Sequence, residues 1–424
     1  MRRLYRGFAY PLLRLGFSIA AWASPKVRRG IAMRRDAPWM RVPADLRPIW
    51  FHCASGEFEY AKPVIRAIKL AWPDQTVLVT YFSPSAETSV PAFAGVDFAC
   101  PSPWDTPRDL GAFIARAKPR ALLIARTDVW PEMAEQATAA GVPSLLFSAT
   151  LTAASGRSSR WARPIACLAF GPLDRIFCVG EADRTAFAAL GFAAKTSVEG
   201  DTRFEQALAR LASPKPINRH LFESDPSALR VPTLIAGSTW AEDEGPLLEA
   251  LQSLEGRVRL CLVPHEPTPA RLLEIEARAR AMGVGCVRYG AASSWPAGAI
   301  LLVDRVGVLA ELYACGDLAF VGGSFRSSVH SVMEPLACGL RTLVGPRHRN
   351  NREAEDFRTV IAGGRPAVIA CENGAQLAKA IDESIAGRAD ESVAAAIHRE
   401  VRMRTGRPTA SVMAWVAGVT GRSL

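Results

Sequence analysis

No two cysteines stand in a C-x-x-C pair, and the nine present are scattered over 424 residues. That excludes a compact disulfide framework and points to buried thiols in a reducing compartment. Six dispersed histidines form no H-E-x-x-H and no other metal-ligand spacing, so no zinc site is expected. There is no Walker A loop and no G-x-G-x-x-G. There is also no Asp-x-Asp, the usual carboxylate clamp for a metal-bound diphosphate. A nucleotide bound here would be neutralised by backbone amides and basic side chains; no metal and no cofactor are expected.

What is present is a folded globular composition, 49% hydrophobic and 22% charged, at a length that suggests two domains. The charge is uneven. Residues 1–50 hold eleven basic side chains against Asp36 and Asp45, which is +9 of the net +10. A basic end attracts phospholipid or nucleic acid. Phe8 to Ala23, "FAYPLLRLGFSIAAWA", is apolar apart from Arg14. As a helix it reaches roughly 24 Å, short of the ~30 Å hydrocarbon core of a bilayer. Arg3, Arg6, Tyr10, Arg14 and Ser18 recur every three or four places as a narrow polar stripe. That pattern suits a helix over residues 1–30 lying in an anionic membrane interface, with its arginines among the headgroups. The alternatives are a full span with Arg14 snorkelling, a cleaved signal peptide, and an ordinary helix docked on the core. Nucleic acid is disfavoured, because the interleaved residues build an apolar helix rather than a stacking platform.

Short β-rich runs alternate with amphipathic helices through both halves. The first half has "PIWFHCA", "TVLVTYF", "ALLIA", "SLLFSA" and "RIFCVG"; the second has "TLIAGS", "VRLCLVP", "GCVRYG", "AILLVD", "LAFVGG" and "RTLVGP". Such alternation predicts α/β architecture, with parallel sheets covered on both faces and two Rossmann-like domains in tandem. The expected divisions are 31–210, a proline-bearing linker 211–230, 231–405, and a C-terminal helix at 406–424 that crosses back to the first domain. Ligands in such folds sit beyond the carboxyl ends of the strands.

Candidate site residues follow at those ends. In "HCASGEFEY", Ser55 and Gly56 make a tight turn and Glu57 opens a helix. A carboxylate there either acts as a general base towards an acceptor hydroxyl or only complements the helix dipole. Asp128, in "IARTDVWPE", is a second carboxylate at the same rim. In "LAFVGGSFRSSVHSVMEP", Gly322, Gly323 and Ser324 end a strand and a helix is expected from near His330. The glycines would let backbone approach a phosphate, and Glu334 would grip a ribose diol or base edge; the plain reading is a strand-to-helix turn. Ser238 and Thr239, in "AGSTWAEDE", either favour phosphate or cap the helix that holds Glu242 and Glu244. Asn350 lies with Arg347, His348 and Arg349 in a basic loop that either holds an anionic sugar or is simply solvated.

Taken together and in order, these stretches resemble the Kdo transferases (3-deoxy-D-manno-octulosonic acid transferases) of lipopolysaccharide synthesis. The resemblance runs through "CASGE", "TYFSPS", "RTDVWP", "SATLT", "VEGDTRF", "AGSTWAEDE", "DRVGVLAELY", "GDLAFVGGS" and "SVHSVMEP". It implies a GT-B fold and metal-independent, inverting transfer of Kdo from CMP-Kdo to a lipid A precursor. The setting implied is the cytoplasmic face of the inner membrane. It also implies Glu57 as general base, an acceptor side at Ser55, Gly56, Arg126 and Asp128, and a CMP-holding second domain. The chain departs from the family pattern at Arg126 and Asp128, where two glutamates are usual. His265 and Glu266 replace an Arg-His pair, and Ser331 replaces an Asn. These departures leave open a transferase for another nucleotide sugar, or an inactive homologue.

Overall fold

The computed structural model describes residues 1–151, 162–223, 230–386 and 391–424. Thr152 of the "SATLT" segment, and 224–229 of the expected linker, lie outside the described residues. The chain forms two compact units: Met1–Gln206 with Arg404–Leu424, and Ala207–Met403.

The first unit is built on seven parallel strands: β1 Ile49–Cys53, β2 Val77–Tyr81, β3 Phe98–Pro101, β4 Ala121–Ala125, β5 Ser144–Ala149, β6 Arg175–Cys178 and β7 Thr196–Val198. Their spatial order is β3-β2-β1-β4-β5-β6-β7. Alternate side chains of the buried strands enter opposite layers, as the strand period requires. Trp50 and Leu122 pack with Phe113 and Phe170 on one face. Phe51, Leu123 and Phe147 pack on the other, under the helix Phe58–Ala71 and the last helix, Pro408–Thr420, which inserts Val412, Met413 and Val416. Each fully buried side chain of this size contributes about 1.5–3 kcal/mol.

The second unit has β8 Thr233–Thr239, β9 Arg259–Pro264, β10 Cys286–Arg288, β11 Ile300–Leu302, β12 Leu318–Val321, β13 Thr342–Val344 and β16 Val368–Ala370, in the order β10-β11-β9-β8-β12-β13-β16. A small antiparallel hairpin, β14 Ile361–Ala362 with β15 Arg365–Pro366, stands apart. Both seven-stranded sheets are parallel, so the α/β, two-Rossmann reading holds. The strands β3, β7 and β16 were not legible as runs. All three are sheet edges of only three or four residues, too short for the strand period to stand out.

The chain crosses from one side of the sheet to the other between β1 and β4 in the first unit and between β8 and β12 in the second. Helices leave opposite faces at such a point and open a crevice at the strand ends. Topology therefore marks the ends of β1 and β4, and of β8 and β12, as the places to look for chemistry.

The N-terminal segment is helical through Arg2–Leu4, Tyr5–Ala9 with π-helical turns, and Tyr10–Ala23. Its polar stripe does not face headgroups as expected; three of its members turn into the body of the first unit. Arg6 pairs with the fully buried Glu132, with Nε 2.7 Å from Oε1. Tyr10 Oη accepts from the Asp105 backbone N–H at 2.8 Å, and Arg14 lies 4.3 Å over the Trp104 ring. Tyr5 adds a 2.6 Å hydrogen bond to Asp105. A buried carboxylate needs such partners, and the polar side of the helix supplies them. Exposure falls instead on Leu4, Phe8, Leu12, Leu15, Ile19 and Trp22, three or four residues apart and therefore one continuous face. Among the described residues no helix is long and apolar enough to cross a membrane.

Candidate active site

At the end of β1 the chain turns through Ser55 and Gly56, and the helix Phe58–Ala71 begins immediately after Glu57. The Ser55 backbone N–H donates to Glu57 Oε2 at 2.9 Å, which folds the carboxylate back over the turn. No cation pairs with Glu57 among the described residues. The Ser55 hydroxyl is shared with that of Ser85, 2.8 Å away. Asp128 follows β4, and its Oδ2 meets Trp130 Nε1 at 3.2 Å and His52 Nε2 at 3.3 Å. Burial pushes the Cys53 thiol well above its ordinary range, and the charges of Glu57 and Asp128 push it further. Both carboxylates therefore bear on one strand end. Arg126 sits there too, with φ +66° and its guanidinium 5.4 Å from the Tyr60 ring. A non-glycine residue in that conformation is uncommon, and such strain gathers at functional sites.

His52 has no role in the sequence reading. It is wholly buried inside β1, with Nδ1 3.0 Å from Thr80 Oγ1, which also accepts from Trp50 Nε1 at 2.8 Å. The contact with Asp128 is attractive only with a proton on His52 Nε2, so the ring holds Asp128 in place. The available signal was a lone polar residue in the otherwise apolar strand "IWFHC".

In the second unit, Ser238, next to last in β8, has φ +55° and is half-buried. Thr239 is buried and its hydroxyl donates to Glu244 Oε1 at 3.3 Å, so it is not available to a ligand. Ser324 is likewise spent: its Oγ donates to Val321 O at 3.2 Å and accepts from the Gly345 N–H at 2.6 Å. Gly322 needs its bare Cα for the protein itself, because a Cβ there would lie 2.3 Å from Ser238 O. At Gly323, φ +86° and a Cβ 2.3 Å from Ser328 O exclude other residues. Gly322 thus lets the ends of β8 and β12 come together, and Gly323 shapes the loop that leads to His330.

The helix expected from His330 begins at Met333 and is five residues long. His330 precedes it, with its ring stacked on that of His265 at 4.3 Å and 7°. Trp240 packs 4.9 Å from His265 and donates from Nε1 to His330 Nε2 at 2.9 Å. Arg326 covers the other reach of Trp240, 3.9 Å from the ring. His330 Nε2 is an acceptor, so the neutral ring carries its proton on Nδ1. Burial, reinforced by His265 and Arg326, lowers its pKa to about 4. Burial raises the Tyr313 hydroxyl and the Cys338 thiol, and the charge of the half-buried Glu334 nearby adds to both. Asn350 is exposed, its amide 3.5 Å from Val329 O. Asn351, which the sequence reading did not single out, donates to His330 O at 2.9 Å and fixes that residue. Arg347 is committed to the carbonyls of Phe325 and Arg326, while Arg349 and Glu266 are exposed. Among the described residues no three His, Cys, Asp or Glu side chains group as a metal ion would require.

The depressed pKa of His330 has a readable consequence. The unfolded chain takes up this proton near pH 6.5 and the folded chain near 4, so its contribution to stability is lost as pH falls between them. Asp105, raised to about 6 by burial, has the opposite slope over part of that range. The expected result is therefore a difference: His330→Gln loses less melting temperature than wild type on going from pH 7 to 4.5, by thermal melts in matched buffers. Parallel profiles would refute the assignment.

Residues 24–206 match the family model described as 3-deoxy-D-manno-octulosonic-acid transferase (kdotransferase). The 3-deoxy-D-manno-octulosonic acid transferase of Bordetella pertussis is 30% identical over 341 residues, covering 76% of this chain and 77% of that one. The chain belongs to the Kdo transferase family. Glu57, Arg126 and Asp128 all lie inside the matched region of this family member. Two solved structures share the fold at low identity. UDP-GlcNAc 2-epimerase from Neisseria meningitidis has TM-score 0.59 at 12% identity, covering 87% of this Kdo transferase family chain and 98% of its own. CalG4, the calicheamicin glycosyltransferase, has TM-score 0.53 at 12%, covering 89% and 98%. Both support a GT-B-like pair of Rossmann units.

Proposed function

We propose that this chain transfers Kdo from CMP-Kdo to a lipid A precursor, with inversion and with Glu57 as general base. The observation that carries the reading is a carboxylate at the β1–β4 switch point, held by one backbone N–H and paired with no cation among the described residues. Glu57 accepts the proton of an acceptor hydroxyl as that oxygen attacks the anomeric carbon from the face opposite the leaving group. The bond from that carbon to the CMP phosphate oxygen breaks, its electron pair leaves with CMP, and the anomeric configuration inverts. Asp128, steadied by His52 and Trp130, orients the acceptor sugar, and Arg126 faces its anionic groups. In the second unit the Ser238 hydroxyl, the Nδ1–H of His330, Arg326 and Arg349 supply donors and positive charge to the donor's phosphate and carboxylate. Asn350 borders that region, and Glu334 is placed for the ribose diol.

The test is direct: purified protein with CMP-Kdo and a tetra-acylated lipid A precursor yields a slower-migrating Kdo-lipid. A UDP-sugar that gives product where CMP-Kdo does not would replace the donor; tight CMP binding without turnover would make the chain an inactive homologue.

The N-terminal helix brings the first unit to an anionic membrane surface, its exposed face entering the acyl boundary while flanking basic residues meet the headgroups. Leu12→Glu with Ile19→Glu places two charges on that face without touching the docked side. The double variant should lose at least roughly ten-fold in partitioning to phosphatidylglycerol vesicles, at unchanged melting temperature. Unchanged sedimentation with vesicles would refute the anchor.

A further inference from the structure

A cavity of about 320 Å³ opens beside the end of β4 in the first unit. Ala9 and Leu13 of the N-terminal helix form one wall, Trp130 another, and Ala166 and Phe170 of the helix Arg163–Phe170 the third. Among the described residues of its lining, Asp128 is the one that is charged. The volume falls in the range of small-molecule sites, roughly 300–1,000 Å³. Leu13 and Ile165 of the lining remain 40% and 45% exposed. The Ala9–Leu13 wall is fixed, because Tyr5, Arg6 and Tyr10 of the same helix are bonded to Asp105 and Glu132.

We propose that this cavity seats one acyl chain of the lipid acceptor. The proposal rests on the reading of the chain as a membrane-associated transferase and adds to it a place for part of the substrate. Three observations select this occupant. The helix that walls the cavity turns its apolar face, Leu12 to Trp22, outward, so cavity mouth and membrane-facing stripe belong to one element. A chain leaving the bilayer there passes Leu13 and Ile165 without crossing water. Asp128, which follows β4 and bears with Glu57 on the end of β1, also lines the cavity and offers a carboxylate to the hydroxyl and amide donors of a sugar headgroup. The basic excess of the first 50 residues complements the phosphates of such a headgroup. A stripe that merely rests on a membrane has no need of a cavity behind it.

The probe is dodecanoic acid carrying a photoreactive diazirine at its methyl end, added to the full chain on phosphatidylglycerol vesicles and read by peptide mass spectrometry. Adducts are expected on Leu13, Ile165 and Phe170. Ala9→Phe, which fills the cavity from a half-exposed helix position, should cut them roughly five-fold, as should Ile165→Gln, which makes the rim polar. Adducts confined to Leu12, Ile19 and Trp22, or indifferent to both substitutions, overturn the proposal. Kinetics give the second arm: Ala9→Phe raises KM for a tetra-acylated acceptor roughly ten-fold, and the penalty vanishes with a de-acylated acceptor. An equal penalty for both acceptors, or none for either, overturns it. Cavity adducts in a wild-type protein that transfers no Kdo would leave the lipid seat standing and bring down the transferase reading instead.

Discussion

Glu57→Gln loses roughly two to four orders of magnitude in kcat and keeps its affinity for CMP. The substitution preserves shape, and the glutamine carbonyl still accepts from the Ser55 N–H, so the turn that places it is retained. What disappears is the ability to take a proton. The acceptor hydroxyl must then attack while still protonated, and the barrier rises by the several kcal/mol that a positioned base supplies. Single-turnover assays with saturating donor, beside calorimetric titration of CMP, separate chemistry from binding. A variant within threefold of wild type would remove the base from Glu57 and from this strand end.

The second large effect is on stability. Asp243→Ala is expected to cost about 3–5 kcal/mol and to lower the melting temperature of the second unit by about 10 °C. The carboxylate of Asp243 is fully buried and accepts from three backbone N–H groups: Trp240 at 2.9 Å, Gly323 at 2.7 Å and Phe325 at 3.0 Å. It thereby ties the turn after β8 to the turn after β12, the two lips of the second switch point. Burial raises its pKa, and those N–H groups act against the rise. Alanine leaves three backbone donors without an acceptor, the Gly323 N–H buried and the other two part-buried, at about 1–3 kcal/mol for a buried one. Asp243→Asn keeps one acceptor oxygen and should fall between. Scanning calorimetry reads the result, and CMP affinity should drop with it, because Trp240 and His330 lose their fixed backbone. A melting profile that does not move would mean the two lips are held by something else.

Asp243 also illustrates how far residue identity reaches. "AEDE" was read for its glutamates, yet the aspartate between them caps the helix and reaches across to β12. That partnership spans about 80 residues and has no local signature. The long apolar runs were legible because each is buried on both faces of a parallel sheet. The position of Glu57 was legible because a strand, a Ser-Gly turn and a helix follow one another without a gap. Thr239 and Ser324 could not be told from ligand-binding hydroxyls, since a hydroxyl at a strand end reads alike whether it points outward or into the fold. The same limit applied to the N-terminal helix. Its two-sidedness was plain, but which side meets protein depended on Asp105 and Glu132, 100 and 126 residues from their partners Tyr5 and Arg6.

The return of the last helix to the first unit has a consequence for how the molecule is made. Val412, Met413, Val416 and Ala417 complete a layer whose other buried members lie before residue 180. During synthesis that layer stays open along the helix Phe58–Ala71 while more than two hundred further residues emerge from the ribosome. The sheet that carries Glu57 is translated well before the helix that closes its hydrophobic interior. Nascent chains of this protein therefore present a greasy, half-covered platform throughout that interval, the kind of surface that chaperones shield.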